Sequence, residues 1–233
     1  MLPYEIAGLP VCFDAKYPTL LRNSAKYKKD MVIDPVAIYI SPEEMNALEA
    51  DSPHLSADQR EYMLFGKSFY HYLITQNGLM LHASAVVVDN EAYLFSAPSG
   101  TGKSTHTSLW LEYFGSRSYI LNDDKPAIRI FPDGIYAYGT PFSGKYDISV
   151  NQKVPLKGIA FVERSASNSI VRQTPQQALY SILNQTTRPA NIPLYTKLLS
   201  SVGELIARIP VYTLQCNISR EAVLVSYEEM RKG

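Results

Sequence analysis

Before residue 78 the apolar positions of this chain come in short clusters interrupted by prolines and tyrosines; after it they come in longer runs. Residues 4–13 alternate around Ala7-Gly8 as two short strands meeting at a glycine turn, and 36–40 is a further strand candidate. Ser41, Pro42, Glu43 and Glu44 supply the cap, first-position proline and first-turn acids of a helix start. Over 57–75 the spacing becomes helical, with Tyr62, Phe65, Phe69, Tyr72 and Leu73 on one stripe, which marks a core face rather than a base-stacking platform. Residues 79–88 and 91–96 read as a strand pair joined by Asp89-Asn90. Apolar strands follow over 118–124, 127–131 and 135–138, the last two flanking the hairpin signal Pro132-Asp133-Gly134. Further strands are expected over 156–162 and 210–215, and helices over 175–183, 194–207 and 220–230. So many strands, several in hairpins, predict an α/β chain with a mixed α+β sheet rather than a simple doubly wound parallel one. The same change of texture divides the chain into a small N-terminal α+β accessory region, 1–75, and a larger domain, 76–233.

Between the strand at 91–96 and the next helical pattern stands Ala97-Pro98-Ser99-Gly100-Thr101-Gly102-Lys103-Ser104-Thr105. Strand, glycine-rich turn, then a helix opening on Lys-Ser-Thr is the layout of a phosphate-binding P-loop (Walker A). Gly100 and Gly102 let the backbone curl so that successive N–H groups face an anion, and the positive end of the helix adds to that field. Ser99, Gly100, Thr101, Gly102, Lys103, Ser104 and Thr105 are the expected nucleotide contacts; Lys103 reaches the β- and γ-phosphates and Ser104 holds Mg²⁺. Ala97 stands where the consensus has its first glycine, which is tolerable only at negative φ.

Twenty residues after Lys103 an apolar strand ends in Asp123-Asp124. Adjacent residues of a strand point to opposite faces, so one acid can serve a metal while the other accepts a proton from an attacking hydroxyl. His82, on a strand beside the P-loop strand, can turn toward the γ-phosphate, although a histidine in such a place is more often a packed core residue. Lys145, in the Gly-flanked loop 139–145, can supply a second cation to a transferring phosphoryl group or simply be a solvated loop lysine. Arg188 is a weaker candidate for a substrate clamp, and His106 reads as local structure. His54 and His71 show no pairing, so no metal beyond Mg²⁺ is expected.

Charge narrows the partners. Lys+Arg and Asp+Glu both number 22, so no broad nucleic-acid or anionic-membrane footprint is expected and attraction for phosphate must be local. The two cysteines, Cys12 and Cys216, form no CxxC pair and suit packing in a reducing compartment. With no leader-like segment and no apolar run of membrane-spanning length, the expectation is a cytoplasmic protein.

The ordered set Leu81-His82-Ala83-Ser84, the P-loop from Ala97 to Ser104, and Asn122-Asp123-Asp124 resembles the catalytic domain of HPr kinase/phosphorylase. The spacing from P-loop to paired acids is also similar to ATP-dependent phosphoenolpyruvate carboxykinase, whose nucleotide-binding fold that domain shares. The resemblance covers 78–165. It implies ATP and Mg²⁺ as cofactors, with Lys103 on the phosphates and Ser104 and Asp123 on the metal. Asp124 would be the proton acceptor and His82 the histidine near the transferred phosphate. Tyr136-Ala137-Tyr138-Gly139 replaces the family's Glu-x-Arg-Gly signature, and no Pro-Gly-Arg-Asn-like segment follows. These departures point away from reverse phosphorolysis and from HPr as substrate, toward a serine-type hydroxyl of a peptide, protein or small molecule. The proteins resembled form rings, so a homo-oligomer is within what the resemblance implies. The leading reading is thus a kinase, and its rival a non-catalytic nucleotide-binding regulatory module. A carboxykinase-like lyase ranks third because its further metal and substrate ligands are not recognisable.

Overall fold

The computed structural model describes residues 1–98, 100–144 and 146–232. Two sheets are present among them. Strands β1 (Leu2–Ile6), β2 (Leu9–Phe13) and β3 (Val36–Ala37) make a small one. The large sheet runs β4 (Gly78–Met80), β8 (Ala127–Phe131), β9 (Gly134–Tyr138), β10 (Lys153–Arg164), β6 (Glu91–Ser96), β5 (Ala83–Val88), β7 (Ser118–Asp124). β12 (Val211–Cys216) branches from β10 and carries β11 (Ser169–Arg172). Only β6–β10 and β10–β12 pair in parallel; the other pairs of this sheet are antiparallel. The sheet is therefore mixed, as the density of hairpin signals led us to expect. β10 forks it: residues 153–155 pair with β9 and residues 159–164 with β12.

Both faces of the large sheet are covered, which explains why its strands read as nearly unbroken apolar runs. On one face Ala83, Ala85, Val87 and Leu94 pack against Ile182 of α5 (Pro175–Asn184) and Leu198, Val202 and Leu205 of α6 (Ile192–Arg208). On the other, Val86, Val88, Tyr93 and Phe95 meet Trp110 of α4 (Lys103–Phe114) and Val223 and Met230 of α7 (Arg220–Met230). A third cluster joins the small sheet to α3 (Ala57–Thr75) through Tyr4, Phe13, Phe65, Phe69 and Phe142. The aromatic stripe of α3 is thus core, with Phe65, Phe69 and Leu73 buried and Tyr62 and Tyr72 packed at its margin. The described helices include none long and apolar enough to cross a membrane.

Three expectations about elements need correction. The apolar run 79–88 is two strands, because β4 pairs with β8 while β5 pairs with β6 and β7. Leu81 and His82 cross between those parts of the sheet: Leu81 N–H donates to Pro126 O at 3.4 Å and His82 N–H to Gln185 O at 2.7 Å. His82 therefore lies in a strand break, not in a strand. The strand expected over 36–40 shrinks to Val36–Ala37, an exposed edge, and that expected over 156–162 extends to Lys153–Arg164. Two elements were not foreseen: α1 (Pro18–Ser24), short and anchored by the Asp58 carboxylate on Thr19 N–H, and β11, which depends on pairing with β12.

Candidate functional site

The site gathers at the end of β5, β6 and β7. β6 ends at Ser96, and Gly100 to Gly102 lead into α4. Gly100 (φ 76°) and Gly102 (φ 125°) adopt backbone that L side chains avoid, and a Cβ added at either would meet nothing within 4 Å. Open room therefore lies over the turn. Ala97 does not take a positive φ and its methyl is buried, so its replacement of glycine costs no strain here. Helices α2 (Pro42–Asp51), α3, α5, α6 and α7 each receive a side-chain cap, from Ser41, Ser56, Thr174, Asn191 and Ser219. α4 begins at Gly102 with none, which leaves first-turn N–H donors at the helix's positive end for a ligand. Ser99 lies outside the described residues.

Lys103 folds back so that Nζ donates to Ala97 O at 2.9 Å. Its partial burial lowers the ammonium's pKa, while Asp124 and Asp123 pull it the other way. Both carboxylates thus lie within electrostatic reach of one lysine. Ser104 Oγ donates to Asp123 Oδ1 at 3.1 Å. Asp123 is opposite Ser84 in the β5–β7 ladder, and Ser84 in turn meets Thr107 of α4 at 3.0 Å, so this side of the ladder faces the P-loop helix.

Asp124 points the other way. Its Oδ1 lies 3.3 Å from His82 Nε2 and its Oδ2 3.4 Å from Lys125 Nζ. Burial alone would raise its pKa, but the His82 hydrogen bond and the Lys125 and His82 charges outweigh burial and hold the carboxyl below its ordinary value. His82 Nδ1 sits 2.9 Å from Gln185 Oε1 at the end of α5, so the ring is gripped at both nitrogens. Its backbone is held as well, since Ser96 Oγ donates to His82 O at 2.8 Å. Gly144 closes over the acid: a Cβ there would stand 3.1 Å from Asp124 Cβ.

Residues outside the phosphate turn and the paired acids position both. The β5–β7 register shifts between Ala85 and Val86, leaving Leu121 as an extra residue whose bulge re-aims the strand end. Buried Asn122 follows; its Oδ1 accepts from the N–H groups of Asp124 (3.2 Å) and Lys125 (2.8 Å). Its Nδ2 donates to Thr140 O at 2.9 Å, and Thr140 Oγ1 and Tyr70 OH both donate to Lys125 O, at 2.8 and 2.7 Å. This polar network fixes the corner that carries the acids. Arg164, at the end of β10, donates from Nε to Thr101 O (2.9 Å) and from Nη2 to Gly100 O (2.5 Å) and so ties the turn to the sheet. A polar residue in a strand and an arginine remote in sequence leave no local signal.

Lys145 lies outside the described residues. Arg188 is exposed, with no hydrogen bond or ion pair among the described residues. His106 is structural: it accepts from Trp110 Nε1 at 3.1 Å, and burial pushes its pKa down to about 4. The described residues hold no cluster of three or more His, Cys, Asp or Glu that could enclose a metal. One hydroxyl and one carboxylate, beside room for phosphate and water, is a donor set that suits Mg²⁺, which is usually bound through few protein ligands plus substrate phosphates.

No family model matches the chain, and no curated protein matches it in sequence. Among solved structures it is similar to the HPr(Ser) kinase/phosphatase from Coxiella burnetii, at 12% identity and a TM-score of 0.37, over 66% of this chain and 91% of that one. The likeness is distant and structural.

Proposed function

We propose that this chain is an ATP- and Mg²⁺-dependent phosphotransferase that moves the γ-phosphoryl group to a hydroxyl of a peptide, protein or small molecule. The observation that carries the reading is the convergence, at one sheet end, of Lys103, the Ser104–Asp123 pair and the His82–Asp124 pair. A plain binding loop has no use for a gripped histidine–carboxylate pair within reach of the same lysine.

In this reading Lys103 leaves Ala97 O for the β- and γ-phosphates, and the uncapped N–H groups of α4 bind the same oxygens. Ser104 and Asp123 would hold Mg²⁺, which neutralises charge on the phosphates. Asp124, kept ionised by its neighbours, takes the proton of the acceptor hydroxyl as its oxygen bonds to the γ-phosphorus and the bond to the departing ADP oxygen breaks. His82 holds the Asp124 carboxylate in place through Nε2–H, and Gln185 orients the ring. Lys125 beside Asp124 supplies a cation near the transferred group.

The test is to incubate the protein with Mg²⁺ and γ-labelled ATP in a cell extract and follow the label. Transfer to a peptide, protein or metabolite that is lost in Lys103→Ala and in Asp124→Asn is the expected result. Nucleotide binding with no labelled acceptor would favour the regulatory module instead.

A further inference from the structure

Beside the turn that precedes α4 lies a recess of about 450 Å³, within the range of small-molecule sites. One wall is the turn itself and the start of α4: Thr101, Gly102 and Thr105. The recess is therefore continuous with the ground on which the phosphates would rest. Its other walls come from distant parts of the chain, the end of β10 and the link between β12 and α7.

The lining differs in chemistry from the adjacent site. Leu109, Val162 and Ile218 give it apolar surface from α4, β10 and the β12–α7 link, and among the described residues no carboxylate or lysine lines it. His106 at the back is kept neutral, and burial pushes the Cys216 thiol up, so neither brings charge at neutral pH. Arg164, the one cation among the described lining residues, has its guanidinium committed to Gly100 O and Thr101 O. Next door, Lys103, Asp123 and Asp124 crowd charge together. A nucleoside triphosphate has the same division, a charged tail joined to a neutral, largely flat base and sugar.

We propose that this recess holds the base and ribose of the nucleotide whose phosphates the turn binds, with Leu109, Val162 and Ile218 as the apolar contacts. The proposal rests on the nucleotide reading above and adds where the nucleoside lies and which residues select for it. Ile218 is the informative contact. It is 77% exposed, so a base laid on it gains buried apolar area, worth on the order of tenfold in affinity. Its position just before the α7 cap also allows replacement without opening the core.

Calorimetric titration of the whole protein with Mg-ATP and, separately, with Mg-tripolyphosphate tests this. The expected result is that the wild type binds ATP at least about tenfold more tightly than tripolyphosphate. Ile218→Asp should weaken ATP by about tenfold, Ile218→Leu should restore it, and tripolyphosphate affinity should stay unchanged in both. Equal affinity for the two ligands in the wild type, or unchanged ATP affinity in Ile218→Asp, would overturn the nucleoside site while leaving the phosphate site intact. Parallel weakening of both ligands would overturn it too, by assigning Ile218 to the shape of the turn. Binding of neither ligand would remove the nucleotide reading and this site together.

Discussion

Replacing Thr140 with valine should both soften the protein and disable the proposed base. Thr140 is fully buried, and its hydroxyl makes four contacts. It donates to Lys125 O at 2.8 Å, accepts from Asn122 Nδ2 and Phe142 N–H at 3.2 Å each, and meets Tyr70 OH at 3.2 Å. Valine fills the same space without the oxygen. Lys125 O would keep Tyr70 OH, and Asn122 Nδ2 would keep Thr140 O. Among the described residues Phe142 N–H has no second partner and would be orphaned in the interior, at about 1–3 kcal/mol. Weakening of the remaining network adds about 1 kcal/mol, for a total of about 2–4 kcal/mol. At about 2–4 °C per kcal/mol for a chain of this size, the melting temperature should fall by roughly 5–15 °C. Differential scanning calorimetry reads that shift. Label transfer at a temperature where the variant is still folded should fall as well, while ATP binding persists. A melting temperature within about 1 °C of wild type would refute the claim that this network holds the 122–125 corner.

The other expectations concern single roles. Asp124→Asn removes the proton acceptor and should lower kcat by about 10²–10⁴-fold while sparing nucleotide affinity; unchanged turnover would reject the assignment. His82→Ala removes the first of the contacts that offset burial at Asp124 and leaves the Lys125 and Lys103 charges, so that pKa should move up. The base is then protonated at higher pH, and the acid limb of kcat/KM should shift upward; a profile that does not move would detach His82 from Asp124. The same pair bears on stability. A carboxyl whose folded pKa lies below its unfolded value stabilises at higher pH, and the gain is lost as pH falls through the folded value. Acid unfolding of His82→Ala should therefore lose part of that pH-dependent stabilisation. Asp123→Asn should raise the Mg²⁺ concentration needed for half-maximal transfer, and a Mg²⁺ dependence equal to wild type would move the metal away from Asp123.

Much of this geometry could be read from local chemistry. Asp89 and Asn90 both take positive φ, 50° and 66°, as a two-residue hairpin requires, and the helices at Pro42 and Ala57 start at the Ser41 and Ser56 capping boxes. Motif and spacing point to Lys103, Ser104, Asp123 and Asp124, the family resemblance adds His82, and the chain brings all five to one sheet end. What escaped depends on contacts far apart in sequence. The break at Leu81–His82 is invisible in an unbroken apolar run, because its partners, Pro126 and Gln185, come from a loop and from the end of α5. Gln185 follows no periodic pattern, and Asn122 looks like one more strand residue until the Leu121 bulge turns it inward. Arg164 reads as a strand-end charge, and only the folded chain sets it on the carbonyls of Gly100 and Thr101.

In the proposed function, the turn between β6 and α4 is a nucleotide phosphate site served by Lys103. Equilibrium titration with ATP, with and without Mg²⁺, in wild type, Lys103→Ala and Asp124→Asn tests it most directly. One ATP per chain should bind, more tightly with Mg²⁺, with binding lost in Lys103→Ala and retained in Asp124→Asn. ATP that fails to bind the wild type, or binds Lys103→Ala equally well, would contradict it.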